Sequence, residues 1–163
     1  MIHTYTELVS SLDILFKDKK NHRRDMSLAA GSAYSADVKY NQIMDEKIPA
    51  DITEFILNQY INNLPSSGPE KFHEDFHAWS IQQYNIGDYI LPHADCNNWL
   101  VLQILTTSPN KLDGIVMQQD TEGSDFKFFP DVAGTLMRIK SARLHWVNPV
   151  RDGVRYTATI AKE

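Results

Sequence analysis

One cysteine, Cys96, stands in 163 residues. No internal disulfide can hold the fold, and nothing in the sequence calls for an oxidising compartment. No apolar run approaches the ~20 residues that span a bilayer. Cations are in the minority, 16 Lys and Arg against 21 Asp and Glu for a net charge of −5. That is the wrong balance for riding a nucleic-acid backbone, which needs surplus positive charge facing phosphate. The opening residues, MIHTYTELVSSLD, lack a basic start followed by an apolar stretch, so no secretory signal is expected. Seven Gly and seven Pro are too few for a fibrous or low-complexity chain, and 42% apolar residues suffice for a packed core. The expectation is one cytoplasmic domain over residues 1–163 with neither nucleic acid nor membrane as its partner.

The chain changes character near residue 77. Before it, Leu8, Leu12, Leu15 and Phe16 mark one face of a helix over Tyr5 to Phe16, and Ile52, Phe55, Ile56, Gln59, Tyr60 and Leu64 mark another over Asp51 to Leu64. The charged run KDKKNHRR (Lys17 to Arg24) reads as a solvated loop or as a segment that orders over substrate. PSSGP (Pro65 to Pro69) closes the helical half. After it come short segments rich in β-branched and aromatic residues: Trp79–Tyr84, Tyr89–Pro92, Leu100–Thr107, Gly114–Gln118, Phe126–Phe129, Thr135–Ile139, Leu144–Val147 and Val154–Ala161. Turn signals such as NIGD, TEGSD, PDVAG and RDG separate them. About eight strands at roughly ten-residue spacing predict a mainly β (α+β) protein, with an antiparallel barrel of the jelly-roll kind. Residues 1–76 form its helical support and a candidate substrate lid (17–48, with the loop Thr107–Asp113). Residues 77–163 form the core.

Two histidine constellations imply different metals. HEDFH (His73 to His77) fits the H-E-x-x-H pattern, in which two imidazoles one helical turn apart hold zinc while Glu74 activates water, as in a metallopeptidase. Its setting is poor, because Pro69 lies just upstream and the strand-like HAWSIQQY follows at once. In the second, His93 and Asp95 stand at i and i+2, on one side of an extended strand. His145, from a neighbouring strand, would complete two imidazoles and one carboxylate around an ion. Such a set leaves adjacent coordination positions open, as non-haem Fe(II) oxygen chemistry requires.

His145 opens HWVNPVRDGVRYTATI, whose last strand alternates. Arg155, Thr157 and Thr159 share one face, and Val154, Tyr156, Ala158 and Ile160 share the other. The plain reading of that alternation is a polar face in water. If the polar face points inward, a small dicarboxylate could bind Arg155 in a bidentate fork with Thr157 adding a hydrogen bond. An inward Arg155 without an anion would cost several kcal/mol. Trp146, beside His145, falls on the opposite strand face and reads as core packing.

QYNIGDYILPHAD (Gln83 to Asp95), LDGIVM, FPDVAGTLMRI with Pro130 and Gly134, and LHWVNPVRDGVRYTATI together resemble the Fe(II)- and 2-oxoglutarate-dependent dioxygenases, in particular their prolyl-4-hydroxylase-like branch. The likeness runs through residues 79–161. It implies a double-stranded β-helix (jelly-roll, cupin-like). It implies Fe(II) held by His93, Asp95 and His145, and 2-oxoglutarate held through its distal carboxylate by Arg155 with Thr157 in support. Tyr84 or Tyr89 would line the cosubstrate pocket. The strand over Leu100–Thr107 lacks a tyrosine that some members carry there. A carboxylate at Asp95 fits hydroxylation, whereas halogenating relatives have a small residue at that place. The implied reaction hydroxylates an unactivated C–H bond of an amino-acid, peptidyl or small-metabolite substrate with dioxygen, converting 2-oxoglutarate to succinate and CO2. The competing readings are a zinc metallopeptidase through HEDFH and a jelly roll that binds a ligand without turnover.

Overall fold

Thr4 starts the first helix, α1 (Tyr5–Lys17). Its hydroxyl accepts the Glu7 N–H at 3.1 Å, and the Glu7 carboxylate reaches back to the His3 N–H at 2.8 Å. Two donors at the helix N-terminus are thereby satisfied by side chains. The computed structural model describes residues 1–18, 23–24, 38–62, 78–94, 99–119, 125–140 and 143–162. After α1 come β1 (Arg23–Arg24), β2 (Val38–Lys39), β3 (Asn41–Met44), a 3-10 turn (Asp45–Lys47) and the second helix, α2 (Ala50–Asn62). Eight strands follow: β4 (Ala78–Tyr84), β5 (Tyr89–His93), β6 (Trp99–Ile104), β7 (Gly114–Gln118), β8 (Phe126–Pro130), β9 (Leu136–Lys140), β10 (His145–Val147) and β11 (Arg155–Lys162). Each of the eight segments marked by sequence pattern is a strand, and their ends agree within a few residues.

These strands form two antiparallel sheets, ordered β1-β3-β4-β11-β6-β9 and β2-β5-β10-β7-β8. Within them β4 pairs with β11, β5 with β10, β6 with β9 and β7 with β8. The pairs are nested, as in one long hairpin folded back on itself, so distant segments such as β4 and β11 become neighbours. No helix among the described residues is long and apolar enough to cross a membrane.

Strand alternation divides the core in two. One face of the six-stranded sheet (Trp79, Ile81, Val101, Tyr156, Ala158, Ile160) packs against Leu8, Leu12 and Phe16 of α1 and Ile52, Phe55 and Ile56 of α2. The other face (Tyr84, Leu102, Ile104, Met137, Ile139) packs against Ile90, Ile115, Met117 and Val147 of the five-stranded sheet. Each helix therefore presents one apolar stripe to the sheet, which stabilises it more than its intrinsic propensity does. Tyr156 fastens this joint, donating to Asp13 Oδ1 at 2.7 Å and accepting from Gln83 Nε2 at 2.9 Å.

The first half is less purely helical than its sequence pattern predicts. β3 extends the six-stranded sheet beside β4, and β2 extends the five-stranded sheet beside β5. Part of the expected lid is thus sheet edge, built from strands of two to four residues that are too short to leave a periodic signal. The other lid candidate, Thr107–Asp113, is a tied turn. The Ser108 hydroxyl donates to Asp113 Oδ2 at 2.8 Å, and Asn110 Oδ1 accepts the Leu112 N–H at 3.0 Å. The end of the second expected helix, at Leu64, lies outside the described residues.

Candidate active site

His93 and His145 face each other across the β5–β10 pairing as direct Cα partners. A bulge in β5 puts His93 there. His145 pairs with His93 and Val147 with Ile90, so three steps on β5 match two on β10. Pro92, with no N–H to give the ladder, sits in the extra step. Without the bulge, alternation from the buried Ile90 would turn His93 outward. With it, Leu91 and Pro92 are exposed and His93 is buried. The two rings lie 4.2 Å apart between centroids, tilted by 57°. Each Nδ1 bonds a main-chain carbonyl two residues back, His93 to Leu91 at 2.9 Å and His145 to Arg143 at 3.1 Å. A carbonyl only accepts, so each Nδ1 carries a proton and is turned to the backbone. Each ring is oriented by its backbone partner, with Nε2 the nitrogen on the side away from that carbonyl.

Arg155 is the first residue of β11 and the Cα partner of Tyr84. It is 2% exposed, so the polar face of the last strand points inward and the solvent-facing reading is excluded. Its Nε donates to both oxygens of the Asp131 carboxylate at 3.0 and 2.9 Å. The Tyr84 ring lies 4.9 Å from the guanidinium carbon. Nη1 and Nη2 are buried and have no hydrogen-bond partner among the described residues. Such donors cost several kcal/mol unless an acceptor arrives.

Asp131 was missed in the sequence, where it reads as a turn residue of PDVAG. Pro130 ends β8, and the turn that follows closes with the Thr135 N–H on the Val132 carbonyl at 3.1 Å and Gly134 at φ 91°. That φ is open to glycine at little strain. Burial pushes the Asp131 carboxyl above its usual 3.8, with Arg155 pulling it down and Asp113 adding to the rise. The signal was the cation itself, since a buried arginine requires a buried counter-charge.

Thr157 is buried, and its hydroxyl donates to Gln82 Oε1 at 3.0 Å. Thr159 donates to the same oxygen at 2.8 Å, and Gln82 Nε2 passes the chain on to Ser80 at 2.7 Å. Ser80, Gln82 and Tyr84 alternate along β4 as Arg155, Thr157 and Thr159 do along β11, so two paired strands present one polar stripe. Tyr84 packs against Tyr40 with centroids 5.2 Å apart. Tyr89 is only half-buried and pairs with Lys39 at the sheet edge. Of the two candidate tyrosines, Tyr84 is the one at the guanidinium. Trp146 is also half-buried and stacks on the exposed Phe126 at 5.3 Å, on the outer face of its sheet instead of in the core.

Asp95, Cys96 and the HEDFH segment lie outside the described residues, and among the described residues no three His, Cys, Asp or Glu side chains converge on one point. The fit to a metal rests on the two imidazoles, and the fit to a carboxylate on the open Nη edge of Arg155. Both are the donor types that Fe(II) and a dicarboxylate require.

The class of fold is the one seen in 2OG-Fe(II) oxygenases, prolyl hydroxylases among them. The chain is similar to a prolyl-4-hydroxylase of Pseudomonas putida at 14% identity, over 96% of this chain and 85% of that one, with a TM-score of 0.63. It is similar to a prolyl hydroxylase of Trichoplax adhaerens, solved with a hypoxia inducible factor peptide, at 12% identity over 97% and 77% of the two chains, with a TM-score of 0.66. A non-heme alpha ketoglutarate dependent carbocyclase from nogalamycin biosynthesis matches at 11% identity over 98% and 75%, with a TM-score of 0.61. No family model and no curated protein sequence matches the chain.

Proposed function

We propose that this protein is an Fe(II)- and 2-oxoglutarate-dependent oxygenase built on a double-stranded β-helix. The observation that carries the reading is the pairing of two complementary needs in one interior. Two buried imidazoles lie side by side, each held at Nδ1 by a carbonyl, and one buried guanidinium has Nη groups without an acceptor among the described residues. His93 and His145, with Asp95 as third ligand, would hold the metal. Arg155 would take the distal carboxylate of 2-oxoglutarate in a fork against the Tyr84 ring. Thr157 supports that end of the strand through Gln82. When bound, the iron supplies the coupling of dioxygen reduction to oxidative decarboxylation of 2-oxoglutarate, yielding succinate and CO2 while a substrate C–H bond becomes C–OH.

The protein's own work is positional. The carbonyls of Leu91 and Arg143 hold both imidazoles at Nδ1 and fix their rotation. Ile90, Met117 and Val147 flank the histidines on the same buried strands, Met117 as the direct partner of His145. The substrate we propose is a free amino acid, a peptidyl side chain or a small metabolite, in keeping with the prolyl hydroxylases among the similar structures. The carbocyclase among them shows that the fold serves other oxidative outcomes, so the product bond is part of the proposal.

The test is turnover of the cosubstrate. Purified protein loaded with Fe(II) should convert 2-oxoglutarate to succinate in air, slowly alone and faster when a true substrate is added, and the His145→Ala variant should not. Succinate formation at the rate of free Fe(II) in buffer would refute the proposal and favour a ligand-binding sheet without turnover.

A further inference from the structure

We infer that Asp131 is a positioning residue that aims Arg155, and that the distal-carboxylate site is set by this pair and not by the arginine alone. The inference rests on the proposed function for the identity of the ligand. It adds a residue that neither the sequence pattern nor the resemblance singles out.

A guanidinium has five N–H donors in one plane. On a flexible stem it would use them wherever acceptors lie. Here both Asp131 oxygens take the single Nε–H, at 3.0 and 2.9 Å, so that the four Nη hydrogens are left for something else. The plane is held from its face by Tyr84 at 4.9 Å. Asp131 is itself fixed by its backbone, its N–H donating to the Asp113 carbonyl at 3.0 Å and its carbonyl accepting the Ser108 N–H at 3.2 Å. Asp113 is anchored in turn, its carboxylate accepting the Arg151 and Asp152 N–H groups at 2.8 and 3.2 Å just before β11. The chain of contacts therefore ties the β8–β9 turn to the start of β11. The guanidinium edge has one orientation, and that orientation presents one N–H from each Nη in parallel, the geometry for a single carboxylate.

A counter-charge role and an aiming role predict different variants. Asp131→Glu keeps the charge and pushes the guanidinium by one methylene. Asp131→Asn removes the charge and keeps an acceptor at the Nε–H. Two measurements separate them. One is calorimetric titration of Mn(II)-loaded protein with 2-oxoglutarate. The other is the 15N-edited proton signal of the Arg155 Nε–H, which needs no cosubstrate. Aiming predicts that Asp131→Asn binds 2-oxoglutarate within about threefold of the unmodified protein and keeps a protected Nε–H signal. It predicts that Asp131→Glu loses at least about tenfold in affinity with a shifted signal, while Mn(II) affinity stays within about twofold in both. A Glu variant that binds normally, or an Asn variant weakened as much as the Glu variant, overturns the inference. If the unmodified protein binds no 2-oxoglutarate, the proposed function fails. The Nε–H signal then decides Asp131 alone: protection kept in Asn and altered in Glu supports aiming, and no difference between them refutes it.

Discussion

An imidazole held through one ring nitrogen can ligate metal only through the other. At His93 and His145 the nitrogen held by a backbone carbonyl is Nδ1, which makes Nε2 the ligand atom of the proposed site. Replacing His145 by Ala should abolish Fe(II) retention, measured as metal content after anaerobic loading and desalting, whereas His73→Ala should leave it unchanged. Retention in the first and loss in the second would transfer the site to HEDFH. Arg155→Ala should raise the 2-oxoglutarate concentration for half-saturation by on the order of 10²-fold with metal content unaffected. It also strands Asp131 in the interior, so a fall in stability of about 3–5 kcal/mol by urea denaturation is expected alongside. The residues legible in the sequence were those whose chemistry is visible without neighbours: two histidines, and an arginine on an alternating strand. Asp131 and the β5 bulge were not legible, because each is defined by a partner in another segment. The bulge exists only relative to β10, and the acidity of a turn residue acquires meaning only when β11 brings a cation to it.

Strands and helices were legible where the period is long enough to count. β4 to β11 emerged from alternation and turn residues, and α1 from Leu8, Leu12 and Phe16, all buried as that spacing requires. β1 to β3, at two to four residues each, carry no period of their own and pair only because longer strands offer edges. Two predictions belong at this scale. Gly114 opens β7, and a Cβ there would collide with the Phe129 carbonyl and the Phe128 ring. Gly114→Ala should therefore cost about 1–3 kcal/mol or more in denaturant midpoint, since a backbone carbonyl cannot swing aside as a side chain can. The second concerns the joint between α1 and β11. Burial, and next the hydrogen bond to Asp13, push the Tyr156 hydroxyl well above its usual 10.0. The folded state holds that proton where the unfolded chain releases it, so stability is full below pH ~10 and falls as pH rises beyond it. Tyr156→Phe should lose about 1–3 kcal/mol at pH 7 and show a shallower decline between pH ~10 and ~12. An equally steep decline would place the alkaline sensitivity elsewhere.

For the whole molecule, nested pairing brings the residues of the proposed site together from far apart in the chain. β4 with β11 carries Tyr84 and Arg155, β5 with β10 carries His93 and His145, and the two sheets share one interior. A ligand that bridges them should stabilise the entire fold. At a concentration 100-fold above its Kd, 2-oxoglutarate with Mn(II) should add about 2.7 kcal/mol and raise Tm by roughly 5–11 °C, and Mn(II) without it should give less.

The most direct measurement is the visible absorption of Fe(II)-loaded protein under anaerobic conditions as 2-oxoglutarate is added. A metal-to-ligand band that needs both components, vanishes in His145→Ala and demands far more 2-oxoglutarate in Arg155→Ala is the expected result. A fully metal-loaded protein whose spectrum stays featureless at saturating 2-oxoglutarate would contradict the shared site of imidazoles and guanidinium.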